Sequence, residues 1–235
     1  MPYIFTPGSN RRWLILCDHA SNRIPPSLLR LGVDRANLRE HIAYDIGALG
    51  VARRLARHLQ APLFAHGYSR LLADANRDAR DPALAPAISD GVRIPGNEGL
   101  TAVDYAERAA RFHEPYHRAV RRYLQRTAPF IVSVHSFTPQ MNGFQRPWPA
   151  GVLWRDNPTL AHKLIAALGE DGTLIGDNQP YDGHVAMGAT LERHAIAQGR
   201  PYTMFEIRQN EISNPSGQRY WSLKLFRALG KVAGS

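Results

Sequence analysis

The chain has 235 residues, 44% of them hydrophobic, which is enough to bury one substantial core and excludes a disordered or fibrous protein. Its formal charge of +9 rests on 26 arginines against 3 lysines, and arginine is the cation suited to forked pairing with carboxylates and phosphates. The densest basic group, Arg108 to Arg126, is interleaved with Glu114 and follows Asp104 and Glu107, so it reads as a solvated helix face and nucleic-acid binding is not expected.

A single cysteine, Cys17, excludes an internal disulfide framework and a zinc site built from several cysteines. No apolar run approaches the roughly 18 residues of a membrane span, and the expectation is a soluble, unexported protein of the cytoplasm with no membrane partner.

In chain order, Trp13 to Cys17 is a near-continuous apolar run that delivers the polar segment Asp18-His19-Ala20-Ser21-Asn22, the pattern of a buried parallel strand and the loop at its carboxyl end. Asp34 caps a helix predicted to reach Gln60, with Leu38, Ile42, Ile46, Leu49 and Leu55 near helical spacing. Pro62 to His66 is a second strand. Residues 78 to 100, broken by Pro82, Pro86 and Pro95, form a long loop of the kind that is usually functional. A polar helix follows over Tyr105 to Arg126, and then a buried strand from Pro129 to His135. Another strand spans Pro147 to Trp154, helices span Thr159 to Leu168 and Thr190 to Gln198, and Leu174 to Gly176 precedes a turn. Tyr202 to Arg208 is a core strand that carries Glu206, and Arg219 to Val232 is a closing helix.

Strands that alternate with helices over the whole length predict one α/β domain, residues 1–235, with a mostly parallel sheet. Ligands bind beyond the carboxyl ends of such strands. His19, His135 and Glu206 lie at or near the ends of three separate apolar runs, and the topology would bring them to one rim of the sheet.

The segments 19–22 (His-Ala-Ser-Asn), 74–77 (Asp-Ala-Asn-Arg), 134–138 (Val-His-Ser-Phe-Thr) and 205–208 (Phe-Glu-Ile-Arg) follow the order of the motifs in the zinc carboxypeptidases. A stricter resemblance is to the N-formylglutamate amidohydrolase family. It is carried by Cys17 to Pro25, His41 to Ala48, Gly176 to Tyr181, Thr190 to Ala195 and Glu206 to Ile212, and it covers roughly residues 12–228. That resemblance implies a three-layer α/β fold of the zinc-carboxypeptidase and phosphorylase-hydrolase type, with helices on both faces of a mostly parallel mixed sheet. It also implies a zinc-dependent amidohydrolase that cleaves an N-acyl amino acid such as N-formyl-L-glutamate.

The zinc-carboxypeptidase pattern would place a glutamate ligand at Asn22, and a neutral amide is a poor zinc ligand. Asp45 is the replacement, which makes the expected set His19, Asp45 and His135, although a simple hydrogen bond between His41 and Asp45 on one helix face also satisfies the pattern. Glu206 is the implied general base, against the alternative of a buried ion pair with Arg208 or Arg77. Asn76 and Arg77 would clamp a carboxylate of the small-molecule substrate, with Arg70 a second candidate and His184 a loop donor; Arg77 could instead bridge Asp74. Two rival readings remain at this level: a nucleophilic amidase built on Cys17, and a non-catalytic carboxylate-binding protein in which Asn22 marks a lost metal site.

Overall fold

The structure, a computed structural model, describes residues 1–185 and 187–233. Seven strands build the central sheet: β1 (Tyr3–Thr6), β2 (Trp13–Cys17), β3 (Leu63–His66), β4 (Phe130–Phe137), β5 (Ala150–Leu153), β6 (Ile175–Asp177) and β7 (Tyr202–Arg208), in the spatial order β1-β3-β2-β4-β7-β5-β6. Strands β3, β2, β4 and β7 run parallel. β1 is antiparallel on one edge, and β5 turns antiparallel to β7 while β6 follows it in parallel.

The central strands are buried on both faces, which is why their sequences run apolar instead of alternating. One face is covered by α1 (Ala48–Leu59), α4 (Pro158–Gly169) and α6 (Pro215–Ala233), whose Val51, Leu55, Leu164, Trp221 and Leu225 pack on Ile15, Val132 and Phe205. The other face carries α3 (Glu114–Leu124) and α5 (Ala189–His194), with Tyr116, Val120 and Leu191 over Leu14, Leu16 and Met204. A third cluster, including Leu31, Leu71, Leu84 and Phe112, gives the long loops a small core of their own. These layers are the three-layer mixed α/β architecture expected from the sequence.

Several boundaries differ from expectation, each for a local reason. The helix predicted from Asp34 begins only at Ala48, because Gly47 takes φ +82° and a Cβ there would meet the Ile212 carbonyl oxygen at 2.2 Å. Residues 34–47 are therefore turns around a short 3-10 helix (Asn37–Arg39), and Asp45 is presented from a loop. The polar helix is three pieces: α2 (Ala102–Arg108), a π turn (Ala109–His113) and α3. Pro115 has no N–H to give residue 111, and the ladder widens just before it.

The strand expected from Pro147 is shortened to Ala150–Leu153, residues 175–177 form a strand of their own, and α5 ends at His194 before a single 3-10 turn. β1 and two tiny hairpins, Ile88–Ser89 with Val92–Arg93 and Gln140–Met141 with Phe144–Gln145, were not foreseen. Two-residue strands offer too little periodicity to be read from sequence.

Candidate active site

β2 ends at Cys17, and the chain sets Asp18 and His19 just beyond it. The His19 carbonyl accepts the Asp45 amide at 2.9 Å, which draws the 34–47 loop over the sheet edge. Ser136 at the end of β4 fixes that loop twice: its amide donates to Asp45 Oδ2 at 3.1 Å and its hydroxyl to the Ile46 carbonyl at 3.0 Å. His135 and Glu206 are direct cross-strand partners on β4 and β7. Parallel pairing thus joins two residues that are far apart in sequence.

The result is a buried cluster in which His19, Asp45 and His135 can each offer one ligating atom, all within 4.8 Å of one another. Both imidazoles direct Nδ1 at Asp45, at 3.4 Å from His19 and 3.0 Å from His135. Each imidazole is held from behind at Nε2, His19 by Asp74 at 2.7 Å and His135 by Ser133 at 3.0 Å and Asp18 at 3.5 Å. Asp18 in turn accepts the Tyr116 hydroxyl at 2.7 Å. Carboxylates behind the imidazoles are the arrangement that orients histidine ligands and raises their basicity.

The site is held together by charge. Burial works against ionisation of Asp45, yet His19 and His135 outweigh it and hold the carboxyl well below its usual range. Burial likewise opposes the His135 imidazolium, and the carboxylates of Asp18 and Asp45 raise its pKa in spite of it. Two polar atoms at the centre, His19 Nδ1 and Asp45 Oδ1, are buried without a hydrogen-bond partner. A buried donor set of two imidazole nitrogens and a carboxylate oxygen, with carboxylates behind both imidazoles, has the chemistry to hold a divalent metal ion.

Glu206 differs from its neighbours. Its Oε2 is buried with no partner, and burial pushes its carboxyl up to about 7, with Asp45 adding to the effect. Among the described residues it pairs with neither arginine proposed as its structural partner: Arg208 binds Glu211 and the Arg146 carbonyl instead.

The cleft above this cluster has a volume of about 730 Å³ and is lined by His19, Asp45, His135 and Glu206 together with Arg70, Asn76 and Arg77. Arg70 is not a free clamp, because its guanidinium already binds Asp74 at 3.1 Å and lies 3.6 Å from Asp45. Arg77 is exposed, and Asp74 is bonded to His19, Arg70 and the Asn76 amide, not bridged by Arg77. The Asn76 side chain accepts the Thr190 amide at 3.2 Å, in contact with Gly188 at φ +81°, so it caps α5. His184 lies outside the lining residues, edge-on to Trp154 and bonded to Asp182.

His41 stands 3.8 Å from Asp45, and burial lowers its pKa to about 4. Asn22 is tied to the Leu38 carbonyl at 2.8 Å. Cys17 is packed in the core between sheet and helices, where burial pushes its thiol well up, so it cannot supply a thiolate. Sequence reasoning gave no role to Asp18, Asp74 or Tyr116. The available signal was a carboxylate placed immediately after an apolar strand or at the head of an Asx turn.

A parallel sheet whose strand ends gather buried acids and imidazoles beneath an open cleft has the placement of an α/β active site. The chain belongs to the N-formylglutamate amidohydrolase family, whose model matches residues 11–213, and it is an amidohydrolase by that membership. It is similar to the crystal structure of a gene product of Agrobacterium tumefaciens, with 30% identity, a TM-score of 0.94, and coverage of 99% of this chain and 94% of that one. It is also similar in fold to N-formylglutamate amidohydrolase from Ralstonia eutropha, at 19% identity and a TM-score of 0.67, over 99% of this chain and 98% of that one. No curated protein sequence matches the chain. No helix among the described residues is long and apolar enough to cross a membrane.

Proposed function

We propose that the protein is a zinc-dependent amidohydrolase that splits an N-acyl amino acid, of which N-formyl-L-glutamate is the family's model, into the free amino acid and a small carboxylic acid. The observation that carries the reading is Glu206, a buried carboxylate with an unpartnered oxygen beside the His19, Asp45 and His135 cluster. Burying a carboxyl without a partner is costly, and such groups mark sites where protonation has a task.

His19, Asp45 and His135 would hold the zinc, with Asp74, Asp18 and Ser133 keeping the two imidazoles in orientation. When bound, the metal supplies Lewis acidity toward the amide carbonyl and toward water. Glu206, with a pKa of about 7, is poised to take a proton from the attacking water and return it to the leaving nitrogen, so that hydroxide joins the acyl carbon as the C–N bond breaks. Arg77 is the group free to grip the substrate carboxylate. Arg70 instead steadies Asp45 and Asp74, and Asn76 shapes the wall through its cap on α5. A cytoplasmic setting with a small carboxylate molecule as substrate belongs to the same proposal. The reading of a lost metal site rested on Asn22 alone, and Asn22 sits apart in a structural bond to Leu38.

The test is elemental analysis of the purified protein together with amide hydrolysis before and after chelation. About one zinc per chain is expected for a site with three protein ligands, with activity lost on chelation and regained on zinc addition. Full metal retention in both His135→Ala and Asp45→Ala would disprove the ligand set, and undiminished hydrolysis by metal-free protein would disprove the mechanism.

A further inference from the structure

The turn that carries Arg77 is held from beneath by the helical layer, and histidines supply two of the holds. Three consecutive carbonyls each accept a hydrogen bond from that layer: Ala75 from His117 Nε2 at 2.9 Å, Asn76 from the Ala189 amide at 3.1 Å, and Arg77 from His113 Nε2 at 3.0 Å. The Thr190 hydroxyl adds a second bond to the Ala75 carbonyl at 3.2 Å. A carbonyl only accepts, so His113 presents Nε2–H to Arg77. His113 is 1% exposed. A buried donor thus ties the backbone of the very residue whose side chain opens on the cleft.

The support behind His113 is well anchored. It closes the π turn, and its ring lies 4.3 Å from that of His117, which meets His194 of α5 at 3.0 Å. Glu114, the next residue, accepts both arms of the Arg193 guanidinium, again from α5, at 2.8 and 3.1 Å. Such π turns are frequent at functional sites, and this one ends in the imidazole that meets the Arg77 backbone.

The start of the turn is held differently. Asp74 donates its amide to the Leu84 carbonyl at 2.8 Å, and its carboxylate binds His19 at 2.7 Å and Arg70 at 3.1 Å. One four-residue turn therefore has two anchors, Asp74 on the side of the metal cluster and Arg77 on the side of the helices. A long side chain loses rotamer freedom when it grips a ligand, and a fixed backbone beneath it limits how much more must be ordered.

We propose that His113 is a positioning residue for substrate binding: its Nε2–H sets the Arg77 backbone so that the guanidinium meets the substrate carboxylate. The inference rests on the reading of Arg77 as the carboxylate clamp and assigns the group that aims it.

The experiment measures KM and kcat for N-formyl-L-glutamate with the zinc-loaded parent protein, Arg77→Met, His113→Leu and His113→Gln, and calorimetric Kd for the same ligand in the Glu206→Gln background. Zinc content and melting temperature are recorded for each. Gln carries its amide nitrogen where His carries Nε2, so it keeps the donor that Leu removes. Arg77→Met should raise KM and Kd about 10- to 100-fold, the range for a charge-assisted contact. His113→Leu should raise both about 5-fold, the worth of one ordinary hydrogen bond, with kcat and zinc content as in the parent. His113→Gln should recover most of that loss. If His113→Leu does not fold, His113→Asn takes its place with the same expectation, because its amide nitrogen stands in for Nδ1 and not for Nε2.

The bis-carboxamide of N-formyl-L-glutamate offers Arg77 no carboxylate, so parent and His113→Leu should bind it alike. Equal weakening of both ligands would mark a general loosening of the fold and overturn the proposal, as would a parental KM and Kd in His113→Leu. Unchanged binding by Arg77→Met would remove the clamp itself, and the proposal with it. Weaker carboxylate binding by His113→Leu in a protein that hydrolyses no amide would sink the amidohydrolase reading and leave the positioning role standing.

Discussion

Two groups of buried histidines lie in this molecule, and their partners set them apart. At the sheet edge, His19 and His135 face the carboxylates of Asp18, Asp45 and Asp74. Beneath α3 and α5, His66, His113 and His117 bond backbone carbonyls of Phe112, Arg77 and Ala75 at 2.8 to 3.0 Å, and His117 Nδ1 meets His194 Nε2 at 3.0 Å. A carbonyl only accepts, so each of these rings donates as a neutral imidazole, and His117 is satisfied at both nitrogens when it accepts from His194. Burial lowers all four, His66 and His194 to about 4, whereas the carboxylates raise His19 and His135 against burial. One residue type thus makes a cation-seeking site in one place and a neutral structural network in the other. The acceptor, carboxylate or carbonyl, decides which.

The sharpest way to break this comparison is Glu206→Gln. The substitution keeps shape and volume but removes the proton acceptor, so kcat should fall by about 10²- to 10⁴-fold, with zinc content and melting temperature unchanged. A folded, zinc-loaded variant with near-normal kcat would remove Glu206 from the chemistry.

A smaller effect is expected behind the ligands. Asp74→Asn should weaken metal affinity by about 10- to 100-fold, the usual consequence of losing the group that orients a ligating histidine, as measured by competition with a chelator. Unchanged affinity would mean that the 2.7 Å contact to His19 serves folding only.

The structural network should show the reverse pattern. His117→Ala removes a ring bonded at both nitrogens and should lower stability by about 1–3 kcal/mol in urea unfolding, while metal affinity stays as it was. Metal loss in this variant would mean that the two groups are not separate.

The same group also predicts a pH dependence. The folded pKa of His66, about 4, lies below the ordinary value near 6.5, so the unfolded chain takes up the proton first as pH falls. Its contribution to stability is complete above pH 6.5, declines from 6.5 toward 4, and is flat below that. In His66→Asn, the loss of stability between pH 7 and pH 4.5 should shrink relative to the parent protein, even though the variant starts lower. An identical acid response in both proteins would place the titration elsewhere.

What the sequence by itself determined follows from local physics. Apolar runs marked the strands at Trp13–Cys17, Leu63–His66, Phe130–Phe137 and Tyr202–Arg208, because a strand buried on both faces has no polar side to show. The placing of His19, His135 and Glu206 near strand ends was legible for the same reason, since parallel strands share an edge. The turn conformation around Asp45 was not, because Leu38, Ile42 and Ile46 keep helical spacing while the break depends on Gly47 meeting Ile212 from a distant part of the chain.

Tertiary structure alone decided which polar groups are paired. Arg70 and Arg77 look alike in sequence, yet one is locked to Asp45 and Asp74 while the other opens on the cleft. Asp18 and Asp74 became supports for imidazoles only when β2, β4 and the 74–77 turn met. Hydrophobic periodicity is written into neighbouring residues, but the partner of a buried charge is chosen across the fold, where desolvation makes every unpaired group costly and every pairing specific.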